Sequence, residues 1–113
     1  MENEKEQKRN ERAKIRCVAL CIETRPDYGL LKHANEMLRL GATRVEVGVQ
    51  SVYDDSLQLV ERGHDVATTI ASFQILKDLG LKINAHYMPG LPGVDKKKDF
   101  EGMKKLFSDE RFR

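Results

Sequence analysis

Cysteine is scarce in this 113-residue sequence, at two residues, and no apolar run approaches the roughly 18 residues that a membrane span requires. The opening stretch MENEKEQKRNERAKIR holds no apolar segment of the kind a secretory signal needs, so the chain reads as cytoplasmic and without a membrane partner. An excess of one charge is missing as well. Lys and Arg number 20 against 18 Asp and Glu, a formal net charge of +2 that neither demands nor excludes a nucleic-acid partner. Cys17 and Cys21 lie four residues apart on an expected strand, where i and i+4 side chains are too distant to bridge, and they read as reduced thiols. What is plentiful is the balance of a globular protein: 34% charged and 40% hydrophobic residues, in a chain long enough for one domain with its own core.

Along the chain an apolar strand, a Pro/Gly turn and an amphipathic helix recur. RCVALCIETRPD predicts a strand ending at Pro26, with Asp27 capping the next helix. That helix carries Leu30, Leu31, Ala34, Met37 and Leu38 at the spacing of one buried stripe and ends at Gly41. TRVEVGVQS is the second strand. Asp54 or Asp55 caps a short helix, SLQLVER, that stops at Gly63; a further helix begins at the cap Asp65, buries Val66, Ile70, Phe73 and Leu76, and ends at Gly80. LKINAHYM is the third strand, PGLPG the loop behind it, and Asp95 the cap of a last helix with the stripe Phe100, Met103 and Phe107. Residues 1–14 have helix-forming composition without an apolar face and form an exposed N-terminal helical segment, leaving 15–113 as the folded α/β part.

Strands alternating with helices imply a parallel sheet with right-handed crossovers. Three strands cannot close a barrel, so the fold is a small open sheet or part of a (β/α) barrel with unpaired edges. In each strand one alternating set is aliphatic and belongs under the helices: Val18, Leu20 and Ile22; Val45, Val47 and Val49; Leu81, Ile83 and Ala85. The other set turns polar toward the carboxyl end: Cys17, Ala19, Cys21, Glu23 and Arg25; Glu46, Gly48 and Gln50; Asn84, His86 and Met88. Polar side chains ending all three strands on one face converge where parallel α/β folds bind ligands.

The segments CIETRPD, RVEVGVQS and HYMPGLPG, together with RGH at residues 62–64, resemble the radical S-adenosylmethionine domain of the tRNA uridine acetyltransferase family, the family of the Elongator catalytic subunit. The resemblance runs from about Glu11 to the C-terminus. It implies parallel strand–helix repeats forming part of a radical-SAM partial TIM barrel, with S-adenosylmethionine above the carboxyl strand ends. It further implies a 4Fe–4S cluster that cleaves that cofactor, and an acetyl group from acetyl-CoA built onto C5 of the wobble uridine of tRNA. Partners on this reading are tRNA and either Elongator-type subunits or a second copy of the chain. Gln50 matches the position held near the ribose and Arg62 the one on the methionine carboxylate. Glu23 stands at an acidic strand end used for the cofactor, and His86 in a slot often filled by aspartate. No catalytic residue is assigned.

The sequence also departs from that pattern. The Cys-x-x-x-Cys-x-x-Cys loop that holds the cluster is absent, and Cys17 and Cys21 read as small core residues rather than metal ligands. The chain accordingly reads as an internal fragment without cluster loop or acetyltransferase domain, inactive and marginally stable alone. Two other functions fit the residues: a non-catalytic nucleotide- or RNA-binding α/β module, and another radical enzyme of the coproporphyrinogen-oxidase-like type. At the residue level Glu46 pairs with Arg44 or touches cofactor. Arg62 sits in the last turn of a helix, where the dipole favours a cation. PGLPG is a rigid turn or a close backbone approach to a nucleoside, and DKKKDF a solvated helix start or a contact to tRNA phosphate.

Overall fold

The computed structural model describes residues 2–113. A helix α1 (Glu2–Glu11) precedes three β/α repeats: β1 (Cys21–Thr24) and α2 (Leu31–Arg39); β2 (Arg44–Gln50), α3 (Asp54–Leu59) and α4 (Val66–Asp78); β3 (Lys82–Tyr87) and α5 (Lys96–Ser108). Single 3-10 turns span Pro26–Tyr28 and Glu110–Phe112. The strands form one parallel sheet in the order β1-β2-β3, so among the described residues both outer edges are unpaired. Cys21, Arg44 and Lys82 lie in one row across the sheet, and Glu23, Glu46 and Asn84 in the next but one. The architecture is α/β, as the alternation of periods implies.

The core is the helix-facing side of β2. Val45, Val47 and Val49 are wholly buried, with Ala34 and Met37 from α2, Phe73 and Leu76 from α4, and Leu81 packed over them. Two turns repeat the same bonding: Gly41, with φ of 88°, follows α2 and lets Ala42 donate to Met37, and Gly80, with φ of 80°, lets Leu81 donate to Leu76. These glycine-ended helices deliver the chain directly into β2 and β3.

Several expectations fail at the margins. The first strand is much shorter than RCVALCIETRPD, and Val18 and Leu20, ahead of it, are exposed. Cys17 and Cys21 are free thiols but lie on the surface, not in the core. Asp27 does not cap α2; it is drawn into the Pro26–Tyr28 turn by Arg25, and α2 starts at Leu31 without a side-chain cap. Leu31 and Leu38 are exposed. The α5 stripe is displaced: Gly102 and Leu106 are buried while Phe100, Met103 and Phe107 face outward, because the glycine is where α5 meets Tyr53 and Tyr87. Ala85 is exposed, since the unpaired edge of β3 is not covered. Helix α1 buries none of its described residues, yet Gln7 Nε2 donates to Arg39 O (2.9 Å), and Asn10 grips both the N–H and C=O of Cys17 (2.9 and 2.8 Å).

Asp65 and Asp95 cap α4 and α5 as the sequence suggests, accepting from Thr68 N and Lys98 N, each at 2.7 Å. The bonds from Thr68 hold the Asp65 carboxyl below its ordinary 3.8, and Arg111 holds Asp109 down from 3.8 to about 2. Carboxyls depressed on folding contribute stability above their unfolded pKa and lose it as pH falls through the folded one. The thermal midpoint is therefore expected to fall as pH drops from about 4 toward 2, in the window set by these depressed groups. A midpoint constant down to pH 2 in a melting series would contradict this.

Candidate functional site at the carboxyl ends of the strands

The polar face of the sheet carries two clusters. In the first, His86 of β3 lies between two carboxylates: Nε2 donates to Glu46 Oε2 at 2.8 Å, and Nδ1 stands 3.4 Å from Glu23 Oε1, so one imidazole links all three strands. Hydrogen bonding from His86 holds the Glu46 carboxyl below its ordinary range; partial desolvation opposes this, and Asn84 and Cys21 add smaller pulls in the same direction. Partial desolvation, then the neighbouring Glu46, raises the Cys21 thiol, which disfavours the thiolate. The partner of Glu46 is thus His86 and not Arg44: the register sets Asn84 beside Glu46, and His86, two residues on along the same face, reaches back to it.

In the second cluster three groups close around Gly48. A methyl group there would stand 3.0 Å from Arg62 Nη2, 3.1 Å from Gln50 Nε2 and 3.6 Å from Thr24 O. Gly48 is where the guanidinium and the amide meet over bare backbone. Arg62 Nε is buried and has no partner among the described residues. The arginine does not sit in a helix: α3 ends at Leu59, Glu61 takes φ of 50°, and this left-handed step turns the chain back so that Arg62 reaches over β2. Neither Asp54 nor Asp55 caps α3. Asp54 accepts from Val66 N at 2.8 Å and Asp55 pairs with Lys98 at 3.2 Å, so these carboxylates tie α3 to α4 and α5 instead.

The two clusters are neighbours, since Glu46 and Gly48 are i and i+2 on one strand face, roughly 6.6 Å apart at two residues of strand rise. The structure thus brings Glu23 and His86 together through Glu46, and Gln50 and Arg62 together over Gly48. Arg25 turns away from this face. Its guanidinium chelates Asp27 (3.0 and 2.6 Å) and lies against Gly63. Burial is the largest single influence on the Asp27 carboxyl and raises it, but the Arg25 bonds, the backbone N–H and the nearby positive charge together bring it below the ordinary value. The PGLPG loop is anchored rather than free: Ser56 Oγ donates to Pro92 O (2.9 Å), and Gly90 N to Asp99 Oδ2 (2.7 Å). Lys98 lies over the Tyr53 ring.

The profile described as the Radical SAM superfamily matches residues 1–107. The chain belongs to the Radical SAM superfamily. Within it, the chain is similar to the tRNA uridine(34) acetyltransferase of Methanocaldococcus infernus, 56% identical over 96% of this chain and 20% of that protein. It is also similar to Elongator complex protein 3 of Drosophila melanogaster, 46% identical over 92% of this chain and 19% of the relative. A solved structure, the archaeal Methanocaldococcus infernus Elp3 with its N-terminus deleted, superposes with a TM-score of 0.94 at 56% identity, covering 96% of this chain and 26% of that one. This Radical SAM chain thus spans about a fifth of the length of the curated relatives it matches.

Two residues of the candidate site, Glu46 and His64, receive no settled partner from the sequence. For Glu46 the sequence offers a pair with Arg44 or a cofactor contact, and its bond to His86, two residues beyond the register partner Asn84, appears only once the strands are aligned. His64 was only part of a motif. It is buried, its Nε2 lies 3.2 Å from Val49 O, and its Nδ1 is without a partner among the described residues. Desolvation keeps this imidazole below its ordinary pKa, hence neutral at pH 7.

Proposed function

We propose that this chain is the S-adenosylmethionine-binding portion of a longer radical enzyme that modifies C5 of the wobble uridine of tRNA with an acetyl group drawn from acetyl-CoA. The observation that carries the reading is the Gly48 cradle. A glycine at the strand end, an amide that both donates and accepts, and a guanidinium with an unpartnered buried Nε together suit a ribose hydroxyl beside a carboxylate. Gln50 would hold the ribose and Arg62 the methionine carboxylate, with Glu23 and His86 lining the adjoining strand ends. Bound there, the cofactor supplies the carbon–sulfur bond whose cleavage starts radical chemistry. What this chain's own residues do is orient it: the Glu46–His86–Glu23 bridge fixes the side of the site, and the bare backbone at Gly48 admits the ligand closely.

The iron–sulfur cluster does not fit the residues present. No group of three or more His, Cys, Asp or Glu among the described residues is placed to hold a metal, and the two cysteines are exposed near the opposite end of β1 from Thr24. Cluster ligands, the acetyl-CoA site and the partial-barrel neighbours of this sheet belong, on this reading, to the rest of the protein. So do the contacts to tRNA and to other subunits or a second copy. In the full-length protein, Gln50→Ala and Arg62→Ala are each expected to weaken S-adenosylmethionine binding by about 1.5–3 kcal/mol, the scale of charge-linked hydrogen bonds. Unchanged calorimetric affinity in both variants would overturn the assignment.

A further inference from the structure

Gln50 does not continue the strand that carries it. Its φ is 66°, and the Ser51 N–H donates to Val49 O at 2.8 Å, so Val49, Gln50 and Ser51 form a γ-turn of the rare, strained hand with the glutamine at its centre. A non-glycine residue keeps such a conformation only where its surroundings hold it from several sides. Two holds are visible. The carbonyl of Gln50 accepts from Met88 N at 2.9 Å, which ties the turn to the end of β3. The carbonyl of Val49 accepts a second bond, from His64 Nε2 at 3.2 Å. A carbonyl oxygen only accepts, so Nε2 carries the ring hydrogen and the buried Nδ1 is the bare nitrogen.

We infer that His64 is a positioning residue for the cofactor site: its Nε2–H clamps the strained turn that aims Gln50 at Gly48, and locks it to the segment that carries Arg62. The argument is one of connectivity. His64 lies two residues after Arg62, and the atom it grips lies one residue before Gln50. The two ligand-facing groups come from segments twelve residues apart, and the His64–Val49 bond is a short cross-link between those segments. Arg25, lying against Gly63, closes the same turn from the other side. The one hydrogen bond the His64 side chain makes among the described residues is to Val49 O, so its influence passes through Gln50 and Arg62.

The inference rests on the cofactor reading above, and its test separates the two. In the full-length protein His64→Phe keeps a ring but removes the donor, whereas His64→Gln places an amide N–H where Nε2 stood. S-adenosylmethionine affinity by calorimetry is expected to fall about tenfold in the phenylalanine variant and to recover to within about threefold of the parent in the glutamine variant, the scale of one hydrogen bond. Equal losses in both would show that packing alone matters and overturn the inference, as would parent-like binding by the phenylalanine variant. If Gln50→Ala and Arg62→Ala also bind normally, the site assignment falls with it; if they bind weakly while His64→Phe does not, only the clamp falls. Should the phenylalanine variant fail to fold, imidazole nitrogen shifts of the unaltered protein decide: protonated Nε2 with bare Nδ1 supports the clamp, and the reverse tautomer removes it.

Discussion

Gly48→Val is expected to weaken S-adenosylmethionine binding at least about a hundredfold in the full-length protein while leaving its melting temperature within a few degrees, the signature of a blocked site on an intact scaffold. Even a single methyl at this position stands 3.0 Å from the Arg62 guanidinium and 3.1 Å from the Gln50 amide. Both neighbours are ends of flexible side chains, so they swing aside and the fold survives. What is lost is their convergence, and with it two ligand contacts at once, each worth about 1.5–3 kcal/mol. Valine adds further bulk over the backbone that a nucleoside would approach. Gly48→Ala should fall between, with the smaller displacement. A valine variant that binds as tightly as the parent would show that the cradle is not where the ligand rests.

Leu76→Ala is expected to destabilise the fold by about 2–5 kcal/mol, the range for emptying a fully buried leucine site. Leu76 is wholly buried, and its own carbonyl receives the Leu81 N–H that ends α4. The site cannot collapse easily. Phe73 is braced edge-on by Phe112 at 5.9 Å, and Lys77 Nζ bonds Phe112 O at 2.8 Å, so the surrounding helix is pinned to the C-terminal turn. Since a domain has only about 5–15 kcal/mol of net stability, the loss should be plain in a denaturant titration. Leu31→Ala, at a site 56% exposed, is the control and should cost little. Equal shifts in the two variants would mean that the core is not centred on α4 and β2.

The β2 strand was the most legible part of the chain. Val45, Val47 and Val49 alternate with Arg44, Glu46, Gly48 and Gln50, the period of a strand with one face in the core. The caps Asp65 and Asp95 were legible for an equally local reason, a short carboxylate before a helical stripe. The failures are tertiary. Asp54, Asp55 and Asp27 are as good local caps as Asp65, but each has a partner from another segment or an adjacent arginine that wins its oxygens. The α5 stripe was misplaced because periodicity finds an apolar face without saying what lies against it; a glycine at the contact with Tyr53 and Tyr87 decided the orientation. In the candidate site, residue types at strand ends pointed to Glu23, Gln50 and His86. The bend at Glu61 that lays Arg62 over Gly48 involves no glycine and left no mark in the sequence.

The register of the three strands arranges the polar face into electrical zones. Arg44 and Lys82 form a positive band toward the amino ends, Glu23 and Glu46 a negative band across the middle, bridged by His86, and the Arg62 guanidinium a positive point at the carboxyl ends. The sign alternates along the strands. On the proposed reading, a zwitterion with its charges several ångströms apart would lie lengthwise on this surface, its anionic end at Arg62 and its positive centre over the glutamates, whereas a ligand of uniform charge would meet repulsion from one band.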